Sequence, residues 1–101
     1  MTTVQIVYWR DIPAQVKARA GRLRASRQCS DRFQAAIDEA AMRGGVIGTD
    51  EYLAEWRTGE PQERPEEPEA AAEAVLAEID AAFPPGAGKL RALVENFGRA
   101  G

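Results

Sequence analysis

The sequence predicts an α+β domain, a small antiparallel sheet of about three strands packed against helices in the order β-β-α-β-α-α. Three observations carry that reading. β-branched and aromatic residues crowd positions 3–9, the composition that a pleated, half-buried surface favours. Apolar residues recur at helical spacing behind Ser30. Two further stretches with the same period follow a Pro/Glu-rich segment. With 101 residues there is room for one core. Of the 45 hydrophobic residues 19 are alanine, so only 26 larger side chains can fill it, and the core should be thin.

Element by element, the first strand runs over 3–9. Val4, Ile6 and Tyr8 alternate with Gln5, Val7 and Trp9, so bulk falls on both faces. Asp11, Ile12 and Pro13 break the run, since proline cannot donate to a ladder. A second strand over 14–20 sets Val16, Ala18 and Ala20 against Gln15, Lys17 and Arg19, one face apolar and the other cationic. Residues 21–28 then read as a loop or irregular segment.

Ser30 is placed to cap a helix in which Phe33, Ala36, Ile37, Ala40 and Ala41 share a stripe, and Gly44 and Gly45 stop it. The stripe should pack on the hairpin. Tyr52, Ala54 and Trp56 alternate with Leu53, Glu55 and Arg57, which reads as a third strand closed by Gly59, although Thr49 and Asp50 would equally suit the start of a short helix. Residues 62–69 of the EPQERPEEPE stretch hold prolines and glutamates that no core absorbs, and read as a linker or an extended edge. Pro68 suits the first turn of a second helix with Ala72, Val75, Leu76, Ile79 and Phe83 on one side, ended by Pro84, Pro85 and Gly86. A third helix carries Leu90, Leu93, Val94 and Phe97, with Gly98 as its stop. The domain reading is therefore an α+β core over 1–61, the linker over 62–69, and a helical pair over 70–101 that belongs to the same domain.

Charge is uneven. Residues 10–32 hold seven basic side chains against two acidic ones, a local balance of +5, whereas residues 33–101 hold six against fourteen, a balance of −8. Such polarity calls for an anionic partner or for pairing between the halves. Histidine is absent and there is one cysteine, which removes the usual near-neutral base and any zinc knuckle. Catalysis starts from a low expectation, and no metal or cofactor site is expected. The opening residues show no leader pattern and no stretch approaches the roughly 20 apolar residues of a membrane span, so a cytoplasmic setting is expected.

Four candidate features remain. PPGAGKL at 84–90 has neither the glycine spacing nor the Ser/Thr after lysine of a phosphate-binding loop and reads as a turn between helices. Asp38 with Glu39, or Glu51 with Glu55, would need burial to serve as acid and base, and they fall on solvent faces. Cys29 stands before a helix among Arg24, Arg27 and Arg32, a setting that lowers a thiol pKa, although an incidental small residue near a helix start is the favoured reading. Two Trp-Arg steps, Trp9-Arg10 and Trp56-Arg57, combine core-filling indoles with residues enriched at interface centres. The candidate partner-binding residues are Trp9, Arg10, Lys17, Arg19, Arg22, Arg24, Trp56 and Arg57.

VQIVYWRDIPAQV at 4–16, SDRFQAAIDEAAMRGG at 30–45 and GTDEYLAEWRTGEP at 48–61 together resemble the small bacterial "virulence factor" domain. The resemblance covers roughly the first 60 residues. In longer relatives, the C-type virulence factor proteins, the domain is similar to a C-terminal module behind a NifU-like region and helical repeats, which implies an assembly or scaffold role. Stand-alone versions are similar to proteins encoded near folate- and corrinoid-dependent methyl-transfer enzymes, which implies a metabolic partner. The resemblance brings no catalytic residues. The expected function is a non-enzymatic adaptor for a protein partner, a methyl-transfer enzyme among the candidates, with a nucleic-acid binder using the basic strand face as the alternative and a small enzyme as the remote one.

Overall fold

The computed structural model describes residues 1–85 and 88–99, with side chains for all of these except 96–99. The elements are β1 (Thr2–Trp9), β2 (Ile12–Ala20), β3 (Leu23–Gln28), α1 (Asp31–Gly44), α2 (Asp50–Ala54), β4 (Trp56–Thr58), β5 (Gln62–Arg64), α3 (Pro68–Ala82) and α4 (Lys89–Arg99). The fold is α+β, with an antiparallel sheet packed against helices. Its order is β3-β2-β1, followed by a split row in which β4 pairs with the end of β1 and β5 with its beginning.

Two expectations about elements need correction, and one open alternative is decided. Residues 21–28 are not a loop: β3 pairs with β2 from Ala20–Leu23 to Gln15–Gln28, after a two-residue turn in which Gly21 takes φ 59°, as glycine does at the first position of a type II′ hairpin. The segment at 50–58 is not one strand. Thr49 Oγ1 accepts a hydrogen bond from the Tyr52 amide, α2 forms with Asp50 and Glu51 in its first turn, and only Trp56–Thr58 extend as β4. The cap and the acidic first turn favour helix there. The Pro/Glu-rich stretch, open between a linker and an extended edge, takes the second form and contributes β5, opposite Thr2–Val4.

The faces of β1 also differ from simple alternation. Between the Ile6–Val16 and Trp9–Ile12 pairs β1 advances three residues and β2 four, because Tyr8 pairs with Pro13. This bulge lies on β2 and shifts the register there; on β1, Trp9 rather than Tyr8 joins Val4 and Ile6 in the core, where it is 0% exposed. Its indole N–H donates to the Tyr52 carbonyl at 2.9 Å, which satisfies the one polar atom that burial would otherwise strand.

α3 lies across β2, β3 and β1, and α1 packs on β2 and, more extensively, on α4. The α1 stripe of Phe33, Ala36, Ile37, Ala40 and Ala41 is buried as the spacing predicts, and Gly45 ends the helix at φ 68°. Ser30 holds the N-cap position, but its hydroxyl turns to Asp80 of α3 at 3.1 Å. Arg32 binds the same carboxylate at 3.1 Å and the Phe83 carbonyl at 2.9 Å. Phe33 and Phe83 meet edge to face at 5.8 Å. α3 starts at Pro68 and ends at Ala82, with Val75 and Ile79 inward; its lower end is tied to β5 by two hydrogen bonds from Arg64 to Glu78, which hold the Glu78 carboxyl below its ordinary pKa. α4 presents Val94 to the core and continues through Gly98 to Arg99; Gly86 and the Phe97 side chain lie outside the described residues. Ala40, Ala41, Ala71 and Ala72 are wholly buried, so alanine thins the core by bringing helices closer rather than by leaving it unfilled.

Candidate functional site

Helices occupy one face of the sheet and leave the other open. By the strand register the open face carries Thr3 and Gln5 from β1, Gln15, Lys17 and Arg19 from β2, and Arg24, Ser26 and Gln28 from β3. Lys17 stands between Gln5 and Ser26, and Arg19 between Thr3 and Arg24. Together they line a shallow groove of about 440 Å³. Arg22 projects from the turn at its end. The Cys29 amide donates to the Ala14 carbonyl at 3.0 Å, which fixes the phase of the β2–β3 ladder. Arg19 and Arg24 thus form a non-hydrogen-bonded pair, the kind that brings side chains closest.

Lys17, Arg19, Arg22 and Arg24 have no carboxylate partner among the described residues. Arg10, Arg27 and Arg32, the other cations of the 10–32 segment, pair with Glu55, Glu73 and Asp80. The basic segment is therefore divided: three cations hold the molecule together and four face solvent. Like charges directly opposite repel, so an anion bridging Arg19 and Arg24 would relieve a strain already present.

The far corner of the sheet holds the Trp-Arg residues. Arg10 turns the chain from β1 to β2 at φ 54°, with its amide on the Glu55 carbonyl and its guanidinium on the Glu55 carboxylate, both at 3.0 Å. Arg57 donates to the Arg10 carbonyl at 2.9 Å, approaches Asp11 at 3.6 Å and stacks on Tyr8 at 4.4 Å. Trp56 is half-buried and meets Tyr52 edge to face at 6.2 Å, while Tyr52 stacks at a tilt on Trp9 at 5.6 Å.

A protein-family model described as Virulence factor matches residues 7–94. The chain belongs to the virulence factor family. No curated protein matches it. No solved structure matches it. The family match runs past the three sequence blocks of the first 60 residues, through β5 and α3 to Val94 in α4. The C-terminal helices are thus part of what defines the family, and α3 is what backs the sheet beneath β2 and β3.

Within this virulence factor domain the sequence-predicted site residues separate. Lys17, Arg19, Arg22 and Arg24 come together on the open face and its turn. Arg10, Arg57 and Trp56 gather at the opposite corner, and Trp9 is a core residue that offers no surface. At Cys29 the lowering that its arginine neighbours suggest is not found: burial, with Asp80 nearby, raises its thiol pKa from 9.0 to about 11 against the opposing pull of Arg32. It is protonated at neutral pH. Glu39 is bound by Arg43 and Arg91, Glu55 by Arg10, and Asp38 accepts from Gln34, so three of the four carboxylates singled out earlier already have partners. No group of His, Cys, Asp or Glu suited to a metal is found among the described residues, and no described helix is long and apolar enough to cross a membrane. Sequence reasoning missed Thr3, Gln5, Gln15, Ser26 and Gln28. The readable signal was the alternation of Arg24, Ser26 and Gln28 with Leu23, Ala25 and Arg27 behind a Gly-Arg turn.

Proposed function

We propose that the chain is a non-enzymatic accessory module that docks an acidic protein surface on its open sheet face. One observation carries the reading: four cations without carboxylate partners among the described residues lie on and beside a groove otherwise lined by the amides of Gln5 and Gln15, the hydroxyls of Thr3 and Ser26, and two alanines. Amide and hydroxyl groups exchange hydrogen bonds with any polar surface, and the cations select an acidic one. Nucleic acid is the less favoured ligand of the same face. Its binding draws on bases stacked on aromatic rings, and Tyr8, on the sheet's far corner, is already covered by Arg57.

Membership of the virulence factor family is consistent with an accessory role. On this reading the chain also resembles the terminal module of C-type virulence factor proteins, which would give it an assembly function, and a cytoplasmic folate- or corrinoid-dependent methyl-transfer enzyme is the first partner to try. The test is capture from native lysate at low salt, with and without nuclease, by the parent chain and by a variant carrying Lys17→Glu, Arg19→Glu and Arg24→Glu. A defined protein retained after nuclease and lost with charge reversal supports the proposal. Capture that survives charge reversal, or vanishes with nuclease, overturns it; the second result would assign the face to nucleic acid.

A further inference from the structure

β3 is the outer strand of the sheet. The phase of its ladder directs the odd-numbered backbone groups toward β2, as the Cys29 amide shows. The N–H and C=O groups of Arg24, Ser26 and Gln28 therefore point away from the sheet. Among the described residues these groups meet no backbone partner; the Ser26 carbonyl accepts from the Arg27 guanidinium at 2.8 Å. The side chains of the same three residues stand on the open face beside the groove. A row of backbone groups that meet no backbone partner among the described residues and a cationic face thus share one edge.

We infer that the acidic partner binds by adding an extended segment as a further strand along the free edge of β3. The inference rests on the docking role proposed for this face and specifies its mode. Residues of the added strand opposite Arg24, Ser26 and Gln28 would place their side chains on the open face. A carboxylate opposite Arg24 meets that guanidinium with Arg19 behind it. One opposite Ser26 reaches over a small side chain to Lys17. The intervening residues point to the helical side, where Leu23 is 62% exposed and offers an apolar contact. The recognised segment therefore alternates carboxylates with apolar residues. Backbone bonds supply affinity and the alternate side chains supply selection. The same cations disfavour pairing between two β3 edges, so the edge rejects its own copy while accepting an acidic strand.

The test uses the full chain and a fluorescein-labelled peptide of about eight residues with alternating Glu and Val, read by anisotropy at low salt. A second peptide is N-methylated on the amides that would face β3. Saturable binding is expected, weakened about tenfold or more by Arg24→Glu. N-methylation should weaken it equally, and so should Ser26→Pro, which deletes an N–H that β2 does not use. Hydrogen exchange at the Arg24, Ser26 and Gln28 amides should slow when peptide is added. If the methylated peptide binds as well as the parent while Arg24→Glu still weakens binding, strand addition is wrong and the cationic docking face stands. If Arg24→Glu has no effect either, or the parent peptide fails to bind, both fall. Should Ser26→Pro not fold, the methylated peptide decides the matter alone.

Discussion

Arg10 is the single non-glycine residue with positive φ among those described, at 54°. That conformation crowds Cβ against the carbonyl and costs about 1–2 kcal/mol. It persists because Glu55 accepts both its amide and its guanidinium while Arg57 binds its carbonyl. Arg10→Gly removes the backbone cost together with a half-exposed ion pair of about 0.2–1 kcal/mol, so its unfolding free energy should stay within about 1 kcal/mol of the parent. Arg10→Val keeps the conformation, loses the pair and adds a branched Cβ, and should cost about 2 kcal/mol or more in urea unfolding; a Val variant as stable as the parent would show that the corner relaxes freely. Cys29 gives a second check. Its thiol is buried and protonated, so iodoacetamide at pH 8 should label native protein at least about a hundredfold more slowly than denatured protein. The raised pKa also fixes a sign: the thiol's contribution to stability is whole below pH 9 and is lost as pH climbs through about 11. Cys29→Ala should flatten that alkaline limb, and an unchanged limb would assign it to another group.

At the scale of elements, the split row beside β1 depends on Gly59. Its amide donates to the Ile6 carbonyl at 2.7 Å, and its carbonyl accepts from Gln5 at 3.3 Å. A Cβ placed there would stand 2.9 Å from a ring carbon of Tyr8 and 3.3 Å from the Ile6 carbonyl oxygen. Gly59→Ala should therefore cost about 1–3 kcal/mol, and much of that should disappear in a Tyr8→Ala background, a coupling readable from thermal melts of the four proteins. Equal costs in both backgrounds would place the clash on the backbone instead. The helices were legible in the sequence because their stripes repeat over many residues: Phe33 to Ala41 and Ala72 to Ile79 face where the period puts them. The α2 to β4 segment was not. A period of two and a helical turn are indistinguishable over Tyr52 to Trp56, and the decision rests on a cap at Thr49 and on indole contacts across the fold. β3 was hidden for a different reason. An edge strand needs only one buried residue in two, and here those are an alanine and an arginine tied to Glu73, which mark the alternation only faintly.

For the whole molecule, the unequal charge of the two halves resolves into two jobs. Arg10, Arg27 and Arg32 join the basic segment to the acidic remainder, while Lys17, Arg19, Arg22 and Arg24 remain gathered around one face. Pairing between the halves is thus visible, the cations left for the proposed anionic partner are different residues, and the sequence count alone had no means of dividing them. The unpaired group burdens the free protein, since Arg19 and Arg24 stand directly opposite each other. A cross-strand like-charge pair is unfavourable by some fraction of about 1 kcal/mol, and in a domain of this size that corresponds to a few degrees of melting temperature, roughly 1–5 °C. Arg24→Thr replaces one charge with a good strand former, so it should raise the melting temperature of the isolated chain while removing partner capture. The gain should be largest at low ionic strength and shrink as the screening length falls from about 10 Å at 0.1 M to about 3 Å at 1 M salt. A melting temperature that falls, or a gain that ignores salt, would mean that Arg24 is held by the fold itself, and the face would lose its claim to be set aside for a ligand.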